Sequence, residues 1–148
     1  MVEDENNFGQ VRTAFNVGLA EGLTALYTDT LSTLDENMRS GQDALGRAWE
    51  PVAASTLQSR KVRTDDPRPL VDTSEFRASF QSDSEINIGK LTATIGSSKE
   101  FITVHEFGAP EAGIPRRPIL GPAARYAYRN APMKFSEEID TRLTDAEL

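Results

Sequence analysis

The first forty residues carry one long helical repeat of apolar side chains. Between residue 8 and about residue 38 they recur mostly every three or four positions, at Phe8, Val11, Phe15, Leu19, Leu23, Leu26, Leu34 and Met38. This spacing places them on one face of an α-helix, and Ser40-Gly41 is a common way for a helix to end. The sequence therefore predicts a long amphipathic N-terminal helix within residues 1–41.

Two glycines lie four residues apart inside this helix. Gly18 and Gly22 each cost about 1 kcal/mol relative to alanine in a helix interior, so the sequence needs a reason for them. Close packing by another backbone is one reason, and a tolerated bend is the alternative. Because an approaching backbone could belong to a second copy, both glycines are candidate subunit-interface residues.

The stretch LVDTSEFRASF, residues 70–80, predicts a short capped helix. Asp72 can cap its first turn, Glu75 can reach back to the backbone amide of the cap, and Phe76 and Phe80 share the inward face. Before it, one or two helical turns are predicted around residues 51–60. Residues 61–69 are predicted to form a mobile, solvated loop.

A change of period marks the next segment. Apolar and polar residues alternate over residues 86–95, and Gly89-Lys90 between the two halves predicts a hairpin with a Gly-X turn. Residues 101–107 fit a helix or a strand; we favour a short helix capped by Ser97 or Ser98 and stopped at Gly108.

A glycine- and proline-rich stretch, HEFGAPEAGIPRRPILGPA, follows at residues 105–123. Residues 109–113 are predicted to form a flexible link, and IPRRP, residues 114–118, a stiff arm. A C-terminal helix is predicted over residues 122–144, and Asn130 and Pro132 could restart it. The predicted fold is one α+β domain over residues 1–148. A small antiparallel sheet is flanked by the long N-terminal helix, short helices and the C-terminal helix, and residues 70–123 form its motif-bearing core.

The residue inventory offers little for catalysis. The chain has no cysteine and one histidine, and neither GxxxxGK[ST] nor GxGxxG occurs. His105-Glu106 begins like a zinc-protease motif, but Ala109 stands where the second histidine is required. We predict no catalytic, cofactor-binding or metal-binding residue and read His105 as structural, its ring bonded to a backbone carbonyl. A small hydrolase using His105 is the remaining enzymatic alternative.

Charge is unevenly distributed along the chain. The net charge is −7; residues 1–50 hold nine acidic and three basic residues, whereas residues 112–136 hold five basic residues and no acid. One copy's basic segment could therefore dock on the acidic helix of another. The acidity and missing motifs argue against sequence-specific DNA binding, the N-terminus does not resemble a secretory signal, and no apolar run is long enough for a membrane span. The composition, with many acidic residues and twelve arginines against four lysines, is similar to that of proteins from salt-loving archaea.

The order of these motifs resembles a family of tailed-phage morphogenesis proteins, the tail-completion or head-tail joining proteins. The matching positions are Leu70, Asp72, Thr73, Ser79, Gly96, Ser97, His105, Phe107, Gly108, Ile114, Pro115, Arg117, Pro118 and Leu120. The departures are Ser74 for the usual glycine, Phe76 for leucine, Arg116 for alanine and Ile119 for the aromatic residue. Serine is expected to be acceptable at position 74, in a first helical turn.

The resemblance implies a structural virion protein without enzymatic activity or cofactor. It would form a ring, commonly six-fold, in the neck, completing the tail and joining it to the head while genomic DNA passes without sequence specificity. Its partners would be further copies of itself, the head connector, adaptor or stopper proteins, and the tail tube or tail terminator. A tail terminator or minor tail protein is the alternative.

The arginines of the arm are the main interface candidates. Arg117 lies between Pro115 and Pro118, so its guanidinium is held ready for a carboxylate of another subunit, with Arg116 beside it. The alternative is a bridge within the chain, near Glu106. His105, Phe107 and Gly108, with Asp72 and Glu75, are interpreted as structural motif residues.

Overall fold

The structure is a computed structural model that describes residues 7–59, 69 and 74–146. Its elements, in chain order, are α1 (Phe8–Arg39), α2 (Ala54–Ser59), α3 (Glu75–Asp83), β1 (Glu85–Asn87), β2 (Thr92–Thr94), α4 (Ile102–Phe107), a 3-10 turn (Pro110–Ala112) and α5 (Leu120–Asp145). The predicted α+β fold is confirmed. The predicted loop over residues 61–69, except Pro69, and the predicted cap Asp72 lie outside the described residues.

Helices α1 and α5 pack along each other at the two glycines. A Cβ added at Gly18 would lie 2.7 Å from the Cα of Ile139, and one added at Gly22 would lie 3.0 Å from the Cα of Phe135. Close approach of another backbone is therefore the reason for both glycines. That backbone belongs to the same chain and both glycines are buried, which corrects the expectation that they contact another subunit.

Helix α5 is longer than predicted and runs through Pro132 without restarting. A proline inside a helix deprives the carbonyl four residues earlier of its partner. Here that residue is Tyr128, and it and Pro132 are both exposed, so water can reach this side of the helix. The remaining contacts with α1, including the bond from the Tyr126 hydroxyl to the Asp29 carboxylate at 2.7 Å, hold the helix continuous.

The apolar core lies at the C-terminal half of α1. Side chains from α1, α3, the segment after α1 and the start of α5 form it, namely Leu31, Leu34, Met38, Ala44, Trp49, Phe76, Phe80, Ile119 and Ala123. The predicted inward pair Phe76 and Phe80 is confirmed, with ring centroids 5.2 Å apart. The first half of α1 therefore extends beyond the core.

The hairpin forms as predicted, but its turn differs. Strands β1 and β2 pair antiparallel with Asn87 opposite Thr92, so the loop has four residues, 88–91, closed by a bond from the Leu91 N–H to the Ile88 carbonyl. The positive φ of 51° falls at Leu91 rather than at Gly89. The prediction of a two-residue Gly-X turn was therefore wrong. One reason is that the Asn87 side chain accepts the Lys90 N–H at 3.0 Å and so supports the longer loop.

Helix α3 begins later than the capping pattern predicted. Its N-cap is Ser74, with φ 65° in the left-handed region and no side-chain capping bond. The first helical residue is Glu75, so this glutamate does not occupy the third position of the helix. Serine at position 74 was expected in a helical turn; it instead adopts a conformation that glycine takes without steric cost.

Residues 102–107, for which a helix was favoured over a strand, form helix α4, and the helix ends at Gly108 as predicted. Its N-cap is Phe101, so the predicted serine cap was wrong. Ser97 and Ser98 instead bind α3: the Ser97 and Ser79 hydroxyls share a hydrogen bond, and the Ser98 N–H donates to the Asp83 carboxylate at 2.8 Å. These bonds tie the end of the hairpin to α3.

Candidate functional site: the α4–α5 junction

The junction, residues 105–123, is organised by the buried carboxylate of Glu106. Its Oε2 accepts the N–H groups of Ile119 at 2.6 Å and Leu120 at 2.8 Å, and its Oε1 accepts that of Gly121 at 2.8 Å. These are N–H groups that a helix leaves without internal partners at its N-terminus, where the helix dipole also favours an anion. Glu106 is therefore the cap of α5, contributed by α4.

This role of Glu106 was not predicted from the sequence. A signal existed, because the residue before α5 is Ile119, whose side chain cannot accept a hydrogen bond. A helix that begins without a local capping side chain needs an acceptor from elsewhere. Sequence alone does not say which of the acidic residues reaches it.

Arg117 is buried and bound within its own chain. Its Nε donates to the carbonyl oxygen of Glu50 at 2.8 Å and its Nη2 to that of Pro51 at 3.1 Å. The candidate role of Arg117 at a subunit interface is thereby corrected: the within-chain alternative holds, with backbone carbonyls rather than Glu106 as acceptors. Arg117 fastens the arm to the segment that follows α1.

The neighbouring residues complete this attachment. Trp49 donates its indole N–H to the Pro118 carbonyl at 2.9 Å, and the Arg116 Nε donates to the Glu106 carbonyl at 2.9 Å. Gly108 has φ 74°, and a Cβ there would lie 3.0 Å from the Arg116 nitrogen. Glycine at position 108 is thus required by both its conformation and the close approach of the arm.

His105 packs against two phenyl rings, those of Phe76 and Phe101, whose centroids lie 4.8 Å from each other. Its ring centroid lies 5.5 Å from that of Phe76 and 5.8 Å from that of Phe101. Burial, with the charge of Arg117 as a second cause, lowers the pKa of His105 below its ordinary value. Nδ1 is buried without a hydrogen-bond partner among the described residues, so the predicted bond from the ring to a backbone carbonyl is not found at this nitrogen. The backbone carbonyl of His105 instead accepts the Arg117 N–H at 2.7 Å.

The link from residue 109 to residue 113 was predicted to be flexible, and the structure corrects this. Ala109 and Ile114 exchange two backbone hydrogen bonds of 2.9 and 3.0 Å, and the 3-10 turn fills the loop between them. Such a closed loop keeps α4 and the arm side by side. Phe107, at the end of α4, is exposed to solvent.

The exposed side of the junction forms a cleft of about 280 Å³. Arg47, Arg116 and Arg125 line it around Trp49 and Pro118, and Pro115 precedes it on the arm. Of the predicted interface residues, Arg116 is therefore the one whose charged group remains at the surface. The lining also includes two acidic residues, one of which, Asp43, is buried and accepts backbone N–H groups.

This arrangement suits attachment better than catalysis. The buried carboxylate of Glu106 and the guanidinium of Arg117 bind backbone groups of the same chain, and the described residues contain no group of three or more potential metal ligands. None of the described helices is both long and apolar enough to cross a membrane.

Residues 19–131 match the model of the phage virion morphogenesis family, a span that includes the junction, most of α1 and the first twelve residues of α5. The chain belongs to this family. The resemblance deduced from the motifs is confirmed at the level of phage virion morphogenesis.

A more distant similarity extends over a comparable length. An uncharacterised protein of Methanocaldococcus jannaschii is 21% identical over 115 residues, which cover 78% of this chain and 84% of that protein. No solved structure matches the chain at a significant level. Family membership supports a structural protein of the virion, and the more specific role is a matter for proposal.

Proposed function

We propose that this protein forms a ring in the neck of a tailed virus, where it completes the tail and joins it to the head connector so that DNA can pass. Its partners are then further copies of itself, most simply six, the connector, adaptor or stopper above, and the tail tube or terminator below. The observation that carries the proposal is the match of residues 19–131 to the phage virion morphogenesis family.

The geometry of the junction supports a structural role. The three residues most suited to catalysis all have structural contacts. His105 packs against Phe76, Glu106 caps α5, and Arg117 binds the backbone that follows α1. Their contacts fix α4, the arm and α5 relative to one another. A structural subunit between head and tail needs such rigidity. The hydrolase alternative loses its support, because the His105 ring lies against Phe76 and Phe101.

Particle assembly without the protein tests the proposal. A neck protein predicts DNA-filled heads and finished tails of normal length that remain separate, visible by electron microscopy. Adding the purified protein should join them. Tails of irregular length would instead favour the tail-terminator alternative, and normal joined particles would refute both.

One variant, compared with the wild-type protein, addresses the hydrolase alternative in the same assay. His105→Gln should still join heads to tails if it folds, because no proton transfer is involved. Wild-type protein serves as the positive control. Loss of joining by a folded His105→Gln protein with an unchanged melting temperature would contradict the structural role of this residue.

A further inference from the structure

The first half of α1 carries an apolar stripe at the surface. Val11 and Phe15 are 40% and 43% exposed, and Phe8, one turn earlier, is 75% exposed. These three residues have the i, i+3, i+7 spacing by which one helix face anchors in a groove. Large side chains exposed together in this way commonly mark an interaction surface.

A groove lies on the opposite side of the same helix half. Val17, Ala20 and Thr24 of α1 form one wall and Ile88 and Leu91 of the hairpin tip form the other, enclosing about 640 Å³ of open space. The lining is mainly apolar, and Ile88 and Leu91 are 41% and 46% exposed. The groove has the composition that an apolar helix face would fill.

Within the described parts of the chain, the hairpin has little cover, and Ile86 of β1 is only partly buried. All three residues of β2 are exposed, and an isolated two-stranded hairpin is marginally stable in water. A partner seated against its tip would supply the missing burial.

The stripe and the groove point in opposite directions. At 100° per residue, the mean direction of the stripe on α1 and that of the groove wall differ by about 180°. A contact between two different patches of identical subunits is head-to-tail, and it builds a ring when the rotation closes. Among the described residues that line the groove, Glu21 is the charged one, and it is already paired with Arg142 of its own chain, so its charge is balanced before an apolar helix face arrives.

We propose that the α1 stripe of one copy, Phe8, Val11 and Phe15, seats in the groove between α1 and the hairpin tip of the next copy. The occupant is a second copy of this chain. This inference rests on the proposed ring, and it names the surfaces that would form it.

Complementary variants test the contact. Phe15→Asp damages the stripe and Ile88→Asp the groove, and each should weaken self-association of the full chain by at least about 30-fold in sedimentation velocity, the size expected for an interface anchor. Met133→Asp, at a half-exposed residue of α5, is the matched control and should associate as the wild type does. Circular dichroism melts confirm folding.

Mixing the two variants distinguishes the head-to-tail arrangement. Phe15→Asp retains an intact groove and Ile88→Asp an intact stripe, so an equimolar mixture should form a heterodimer and stop there. If Ile88→Asp alone assembles like the wild type, the groove is not the acceptor and the inference is overturned. If the wild type assembles and Phe15→Asp assembles equally well, the stripe is not the contact and the inference is overturned, but the proposed ring is not. If the wild type stays monomeric at every concentration, the proposed ring itself is refuted.

Cross-linking gives a measurement that does not depend on damaging the fold. Because the chain has no cysteine, F15C and I88C introduce single thiols. Under oxidation, mixed F15C and I88C proteins should form disulfide-linked dimers on non-reducing gels, and mixed M133C and I88C proteins should not. Efficient linking of F15C to itself would contradict the inference, because it indicates stripe-to-stripe contact.

Discussion

Replacing Glu106 with glutamine removes the cap of α5 while keeping the shape of the side chain. The carboxylate accepts three backbone N–H groups, and a glutamine side chain presents one acceptor oxygen and one NH₂ group. At least one buried N–H is then left without an acceptor, at a cost of about 1–3 kcal/mol. Loss of the negative charge at the helix N-terminus adds about 1 kcal/mol.

The expected loss is therefore about 3 kcal/mol in the free energy of unfolding. For a chain of this size the melting temperature should fall by roughly 10 °C. Urea denaturation and differential scanning calorimetry measure the two quantities. Hydrogen exchange gives a local readout, since the amides of residues 119–121 should exchange faster than those in the middle of α5.

Glu111→Gln is the matched control. Glu111 is exposed in the 3-10 turn of the same junction, and the substitution changes the charge identically, so its effect should stay within about 0.5 kcal/mol. If Glu106→Gln and Glu111→Gln destabilise the protein equally, the capping role of Glu106 is refuted.

Three further substitutions probe the packing, the backbone and the buried imidazole. Gly18→Ala should lower the free energy of unfolding by about 1–3 kcal/mol in urea, because its Cβ would lie 2.7 Å from the Ile139 backbone; Gly9→Ala, with open space around it, should be neutral or stabilising. Ser74→Gly should raise the denaturation midpoint by the equivalent of about 1 kcal/mol, since φ is 65° there; no gain would contradict the left-handed conformation. Burial, then the neighbouring guanidinium, lowers the pKa of His105, so the folded state binds its proton less readily than the unfolded state. Stability should therefore fall as pH drops below about 6.5, and His105→Gln should reduce this fall.

The elements with a strong periodic pattern were predictable. The apolar spacing of α1 and its end at Ser40-Gly41 gave bounds close to those observed, and Phe135 and Ile139, four residues apart, lie on the face of α5 that meets α1. Local turns were less predictable, because the positive φ fell on Leu91 and Ser74 rather than on a glycine. In the hairpin, the bond from the Lys90 N–H to the Asn87 side chain supports a longer loop than the Gly-X pattern predicts.

The partners of the junction could not be read from the chain. Outside the junction, Gly18 and Gly22 allowed either close packing by another backbone or a tolerated bend, and the sequence did not show that the backbone is α5 of the same chain. Arg117 required oxygen acceptors, and the carbonyls of Glu50 and Pro51 carry no sequence signature, since every residue has one. Backbone acceptors are invisible to motif analysis for this reason.

By itself, the sequence determined the helical frame, the hairpin, the end of α4 at Gly108 and the kinship with phage morphogenesis proteins, because periodicity and glycine-proline spacing act over a few residues. Only the tertiary structure decided that Glu106 caps α5 from α4, that Arg117 is buried, and that stripe and groove occupy opposite sides of α1. Each of these depends on residues far apart in the chain meeting in space, and such distances are set by packing rather than by any local pattern.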